Sequence, residues 1–137
     1  MRRWKNFART EAMLFDTDVF IWLQRGSSRA AALIDRTPER FLSLFSLLEL
    51  LQGPQNKRQQ RLGQSFLRDL NFRVLSLTEP IGHRALIYIE QYALSSGLRA
   101  GDAIVAATAV ENGLALASAN RKHFSKIEAL ELVVFRP

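Results

Sequence analysis

Apolar positions along this 137-residue chain fall in short clusters separated by polar stretches of helical period. Leu14-Phe15 leading into Asp16 predicts a short buried strand. Val19 to Gln24 predicts the first turns of a helix, closed near Gly26. Ser27 or Ser28 is placed to cap a second helix from Arg29 to Arg36, with Ala30, Ala31, Leu33 and Ile34 on its apolar side. Thr37-Pro38 ends it. Phe41-Leu42-Ser43-Leu44-Phe45 alternates poorly, as a strand covered on both faces does, and Ser46 to Leu51 turns helical before Gly53-Pro54. Lys57 to Leu70 is a polar, amphipathic helix with Leu62, Phe66, Leu67 and Leu70 inward. Phe72 to Leu77 predicts a strand. Thr78-Glu79-Pro80 starts a helix that runs to about Ser95 and stops at Gly97. Asp102 to Asn112 is an Ala-rich helix closed by Gly113. Leu114–Ala117 and Leu132–Phe135 are the last strands.

Short apolar strands alternating with helices predict an α/β domain with a central, mainly parallel sheet and helices on both faces, a three-layer α/β/α arrangement. No repeat, low-complexity segment or linker divides it. In such sheets the ligand site lies beyond the C-terminal strand ends. Asp16 follows the first strand, Glu49 sits on the helix after the second, Asp102 begins a helix, and Ser118-Ala119-Asn120 follows the fourth strand. All are expected to converge on one edge.

Composition bounds the chemistry. There is no cysteine, which removes disulfides, thiolate zinc sites and a cysteine nucleophile and fits a reducing cytoplasm. The longest apolar run, Phe41 to Leu51, is too short for a bilayer and carries Glu49, so no membrane span is expected. The N-terminus is basic without an apolar core, unlike a secretory signal. The net charge is +6. Half of it sits in residues 1–12, where Arg2, Arg3, Lys5 and Arg9 outnumber Glu11. That leader reads as an extension outside the domain, with Met13 as the expected start of the domain proper (13–137). Charge alone thus supports a polyanion partner weakly.

The carboxylates are the stronger signal. An anion among Leu14, Phe15, Val19 and Phe20 costs several kcal/mol unless a cation or donors compensate it. Hard divalent cations such as Mg2+ and Mn2+ prefer carboxylate oxygens. Asp16, Glu49 and Asp102, from three segments, would form such a site, suited to phosphodiester hydrolysis by a metal-activated water. Each residue also has a plainer reading. Asp16 and Asp18 each read as a cap for the helix from Val19, Glu49 as a solvated position on an amphipathic helix, Asp102 as a first-turn acid favoured by the macrodipole, and Ser118 and Asn120 as turn residues. His83 and His123 read as surface side chains. Arg99, Arg121 and Lys122 are candidate contacts to an RNA backbone or simply solvated.

Leu14-Phe15-Asp16-Thr17-Asp18-Val19, Ser46-Leu47-Leu48-Glu49-Leu50, Gly101-Asp102-Ala103-Ile104-Val105-Ala106-Ala107-Thr108-Ala109 and Ser118-Ala119-Asn120-Arg121-Lys122-His123-Phe124 resemble, in order, the motifs of PIN-domain ribonucleases. The spacing is most similar to the VapC-like toxins of bacterial toxin–antitoxin pairs. The resemblance covers Met13–Pro137. It implies a PIN-like fold and a Mg2+- or Mn2+-dependent endoribonuclease with Asp16, Glu49 and Asp102 as metal ligands. Asn120 would be a further catalytic position, with Thr17 and Ser118 as supporting polar groups. It also implies an RNA substrate, a homodimer and a small cognate antitoxin that covers the groove. The fourth motif departs from the family, because many relatives carry another Asp where this stretch has Ser118, Asn120 and His123. One well-held metal is therefore expected. Two rival functions follow from the same residues. A PIN-like module that binds RNA or a partner without catalysis fits the weaker fourth motif. An aspartate-nucleophile phosphatase fits Asp16-Thr17-Asp18-Val19 as a D-x-D-x-V motif but lacks a late acidic pair.

Overall fold

A computed structural model describes residues 11–137. The basic leader, Arg2 to Arg9, lies outside them. In chain order the elements are β1 (Ala12–Phe15), α1 (Thr17–Gln24), α2 (Ser28–Asp35), β2 (Glu39–Ser43), α3 (Leu44–Gln52), α4 (Lys57–Asp69) and β3 (Phe72–Leu75). They continue with α5 (Glu79–Ser96), α6 (Ala100–Glu111), β4 (Ala115–Ser118), α7 (Arg121–Phe124) and β5 (Leu132–Val134).

The strands stand in the order β3-β2-β1-β4-β5, and every neighbouring pair is parallel. The sheet expected to be mainly parallel is wholly so among the described strands. Alternate residues of β1 point to opposite faces and build two cores. Met13 and Phe15, with Leu42 and Ala117, meet Val19, Phe20, Leu33 and Ile34 of α1 and α2. Leu14, with Leu116, meets Tyr88, Ala103, Ala106 and Phe124 of α5, α6 and α7. Helices on both faces explain why the central strands β1 and β4 are apolar up to Ser118. Phe72 of β3 closes the first core edge-on against Phe15 and Phe20, at centroid distances of 5.4 and 4.7 Å.

Caps mark where strands become helices. Ser43 accepts from Phe45 N at 3.1 Å and starts α3 there, so Leu44 and Phe45, expected in the strand, belong to the helix. Ser27 caps α2, and Thr78 caps α5, which ends at Gly97 with φ at +70°. One expectation fails on α4. Leu67 and Leu70 pack on the first core, but Leu62 and Phe66 are 61% and 37% exposed. Helical period marks an apolar side without saying whether this chain covers it. No described helix is long and apolar enough to cross a membrane.

Candidate active site at the sheet switch point

From β1 the chain builds outward through β2 and β3, then returns to place β4 on the other side of β1. The crevice of a parallel sheet opens at such a reversal, here between the C-terminal ends of β1 and β4. Asp16 stands there. Its backbone N–H reaches Ala117 O at 2.9 Å. It is also the N-cap of α1, with Oδ1 accepting from Thr17 N at 2.8 Å and Oδ2 accepting from the Ser118 hydroxyl at 2.8 Å.

Asp18, expected to cap α1, does not. Its Oδ2 reaches across to the end of β4 and accepts from Ala119 N at 2.8 Å, with the Ser118 hydroxyl at 3.3 Å. Its Oδ1 is buried and has no hydrogen-bond partner. No lysine or arginine among the described residues pairs with either aspartate. Burial, and then the Asp18 charge, push the Asp16 carboxyl from the ordinary 3.8 up to about 7 against the hydrogen bonds from Ser118 and Thr17. Burial likewise raises Asp18, opposed by the Ala119 amide and the Ser118 hydroxyl. Asp102 adds repulsion to both.

The other two acids come from the neighbouring helices α3 and α6. Glu49, exposed on α3, accepts at Oε1 from the Thr17 hydroxyl at 2.8 Å, which ties α3 to the start of α1. Asp102, in the first turn of α6, accepts at Oδ2 from Arg99 N at 3.2 Å. The same oxygen lies 2.8 Å from His123 Nδ1, both side chains being 20% exposed. Asn120 caps the short helix α7 through Oδ1 on His123 N at 3.3 Å, and its own N–H donates to Ser118 Oγ at 3.0 Å. Arg99, Arg121 and Lys122 are exposed beside this cluster. His123, read as a surface residue, is therefore part of the site. Its offset of three from Asn120 places it in the first turn that Asn120 caps, and that spacing was the available signal.

Among the described residues no three His, Cys, Asp or Glu side chains stand close enough to hold a metal ion together. The donor set still suits a hard cation. It is all carboxylate oxygen with no described lysine or arginine paired to Asp16 or Asp18, burial and then the Asp18 charge raise Asp16 to about 7, and a buried Asp18 oxygen is left unpartnered. From Thr17 and Glu49 a groove of about 900 Å³ runs between α1, α3 and α4, walled by Ile21, Leu50, Leu62 and Phe66.

Residues 13–130 match the model of the PIN domain. The chain is similar to a solved toxin–antitoxin complex from Klebsiella pneumoniae, with 28% identity over 90% of this chain and 97% of that one and a TM-score of 0.75. It is also similar to FitAcB from Neisseria gonorrhoeae, with 26% identity, 91% and 97% coverage and a TM-score of 0.68. A DNA-bound VapBC from Salmonella typhimurium shares the fold at 16% identity, covering 90% of this chain and 97% of that one, with a TM-score of 0.75. No curated protein matches the chain. The match does not fit the aspartate-nucleophile phosphatase, and Asp18, the second Asp of its D-x-D-x-V motif, is bound to the β4 loop. By the family model, over most of its length, this chain belongs to the PIN domain family.

Proposed function

We propose that the protein is the toxin of a toxin–antitoxin pair and that it hydrolyses RNA phosphodiesters at a divalent cation. The observation that carries this reading is the uncompensated carboxylate cluster at the sheet reversal, with Asp16 pushed to about 7 beside Asp18 and Asp102. Asp16, Glu49 and Asp102 would hold Mg2+ or Mn2+, which supplies polarisation of a phosphoryl oxygen and a water acidic enough to attack. The chain's own groups set the stage. Ser118 and Thr17 N orient Asp16, the Thr17 hydroxyl aims Glu49, and Asn120 holds the loop beyond β4. Arg99, Arg121 and Lys122 would draw the RNA backbone toward an otherwise acidic floor. In-line attack would leave 5′-phosphate and 3′-hydroxyl ends.

The partners follow the same reading. The Klebsiella pneumoniae relative is a toxin–antitoxin complex, and the apolar groove ending at Glu49 suits a peptide segment of a small antitoxin, which would shut the site by covering it. Leu86, Ile87 and Leu94, exposed on α5, suit a homodimer contact. Action in the cytoplasm accords with an RNA target. The non-catalytic alternative rests on the fourth motif, where Asn120 brings no charge. A cleavage assay on a structured RNA with Mn2+, EDTA and the Asp16→Asn variant separates the two. The nuclease cleaves only with metal and only as wild type, whereas the binding module retains RNA uncut.

A further inference from the structure

We propose that His123 is a positioning residue for Asp102, its Nδ1–H gripping Asp102 Oδ2 so that the other carboxylate oxygen faces the cation. The proposal rests on the metal-nuclease reading of the same site and deepens it.

The ring is held on several sides. Phe124, next in sequence, is 1% exposed and anchors α7 in the core beneath α6. Asn120 caps the helix and touches the ring, with its Nδ2 2.8 Å from Nδ1. On the far edge, a methyl group built on Gly97 would lie 3.7 Å from Nε2, so the ring packs along the end of α5. The Nδ1 edge therefore faces Asp102 Oδ2 at 2.8 Å.

Two groups claim Nδ1, and only one arrangement satisfies an ionised Asp102. A bare Nδ1 lone pair facing a carboxylate oxygen at 2.8 Å is repulsive, whereas an N–H there makes a charge-assisted bond. Asp102 thus selects the Nδ1–H tautomer. The Asn120 amide keeps its oxygen on His123 N, so its Nδ2 lies beside this proton and Asp102 alone accepts it. With Oδ2 engaged by both His123 and Arg99 N, Oδ1 is the oxygen left for a cation. Fixing a ligand through an outer hydrogen bond typically matters roughly 10–100-fold in metal affinity.

The test uses the full chain without RNA. Nitrogen-15 NMR at pH 8 reads the tautomer directly. The chain has only His83 and His123, so His123→Asn identifies the signal by removing it. The expected result is a predominantly Nδ1–H His123 that loses this preference in Asp102→Asn. A predominantly Nε2–H ring in wild type overturns the proposal, whatever the metal result. Mn2+ calorimetry is the second readout. His123→Ala and His123→Gln should weaken binding roughly 10–100-fold and lower kcat on RNA with KM unchanged. His123→Asn, whose amide N–H can stand where Nδ1–H stood, should restore most of both. An Ala variant that is folded by circular dichroism and binds Mn2+ within twofold of wild type overturns it too. Wild type that binds no Mn2+ while the ring is Nδ1–H overturns the metal-nuclease reading and leaves the positioning of Asp102 standing.

Discussion

Replacing Asp16 by Asn should make the metal-free protein more stable above neutral pH and leave it little changed in acid. In the folded chain burial and the Asp18 charge hold the Asp16 carboxyl at about 7, against an ordinary 3.8. A raised carboxyl binds its proton more tightly when folded, so its favourable contribution is complete below about 4 and is lost as pH rises through about 7. A displacement of that size corresponds to about 4 kcal/mol. Asp16 is still partly open to water, and screening should leave about 2 kcal/mol of it realised. The introduced amide keeps the cap on Thr17 N through its oxygen and can donate to Ser118 Oγ, whose proton then serves Asp18 at 3.3 Å. Only the charge is lost. Urea denaturation in EDTA between pH 4 and pH 9 is the assay. Wild type should lose stability across that window, and at pH 8.5 the variant should be ahead by about 2 kcal/mol, or about 6 °C in Tm. Wild-type stability that is flat or rises from pH 5 to 8, or a variant weaker at pH 8.5, would show that Asp16 is not destabilising when ionised.

Three further outcomes are expected. Thr17→Val removes the hydroxyl that holds Glu49 Oε1 at 2.8 Å and should slow metal-dependent cleavage roughly tenfold without shifting the urea midpoint. Gly101→Ala would place a methyl 2.6 Å from Phe45 Cε2 and 2.8 Å from Cζ, and this overpacking should cost about 1–3 kcal/mol in urea denaturation. Phe66→Asp puts a charge on the exposed wall of the groove. It should weaken capture by a co-expressed antitoxin while cleavage by the free chain persists, and unchanged capture would argue that the antitoxin binds elsewhere.

Local signals carried the fold further than the site. β1 and α5 were legible because Leu14-Phe15 and the Thr78–Gly97 punctuation encode their own beginnings and ends. The β2–α3 junction was not, because Phe41 to Leu51 is one apolar run and the switch depends on the Ser43 hydroxyl reaching Phe45 N. Asp18 misled for the opposite reason. Its helix-cap reading is sound locally, but the structure spends its Oδ2 on Ala119, about a hundred residues away in sequence. His123 was hidden likewise, since its partner Asp102 lies across the α6–α7 interface. For Leu62 and Phe66 the period named the right face, and no local pattern could say that the face stays open.

In the proposed reaction a divalent cation among Asp16, Glu49 and Asp102 drives RNA hydrolysis. Single-turnover cleavage of a labelled structured RNA, followed with Mn2+ and with EDTA for wild type and Asp102→Asn, tests it most directly. Wild type with Mn2+ should give 5′-phosphate products, none should form with EDTA, and the variant should lose roughly a hundredfold or more, the cost of a missing metal ligand. Cleavage that persists in EDTA, or that Asp102→Asn leaves unchanged, would contradict it.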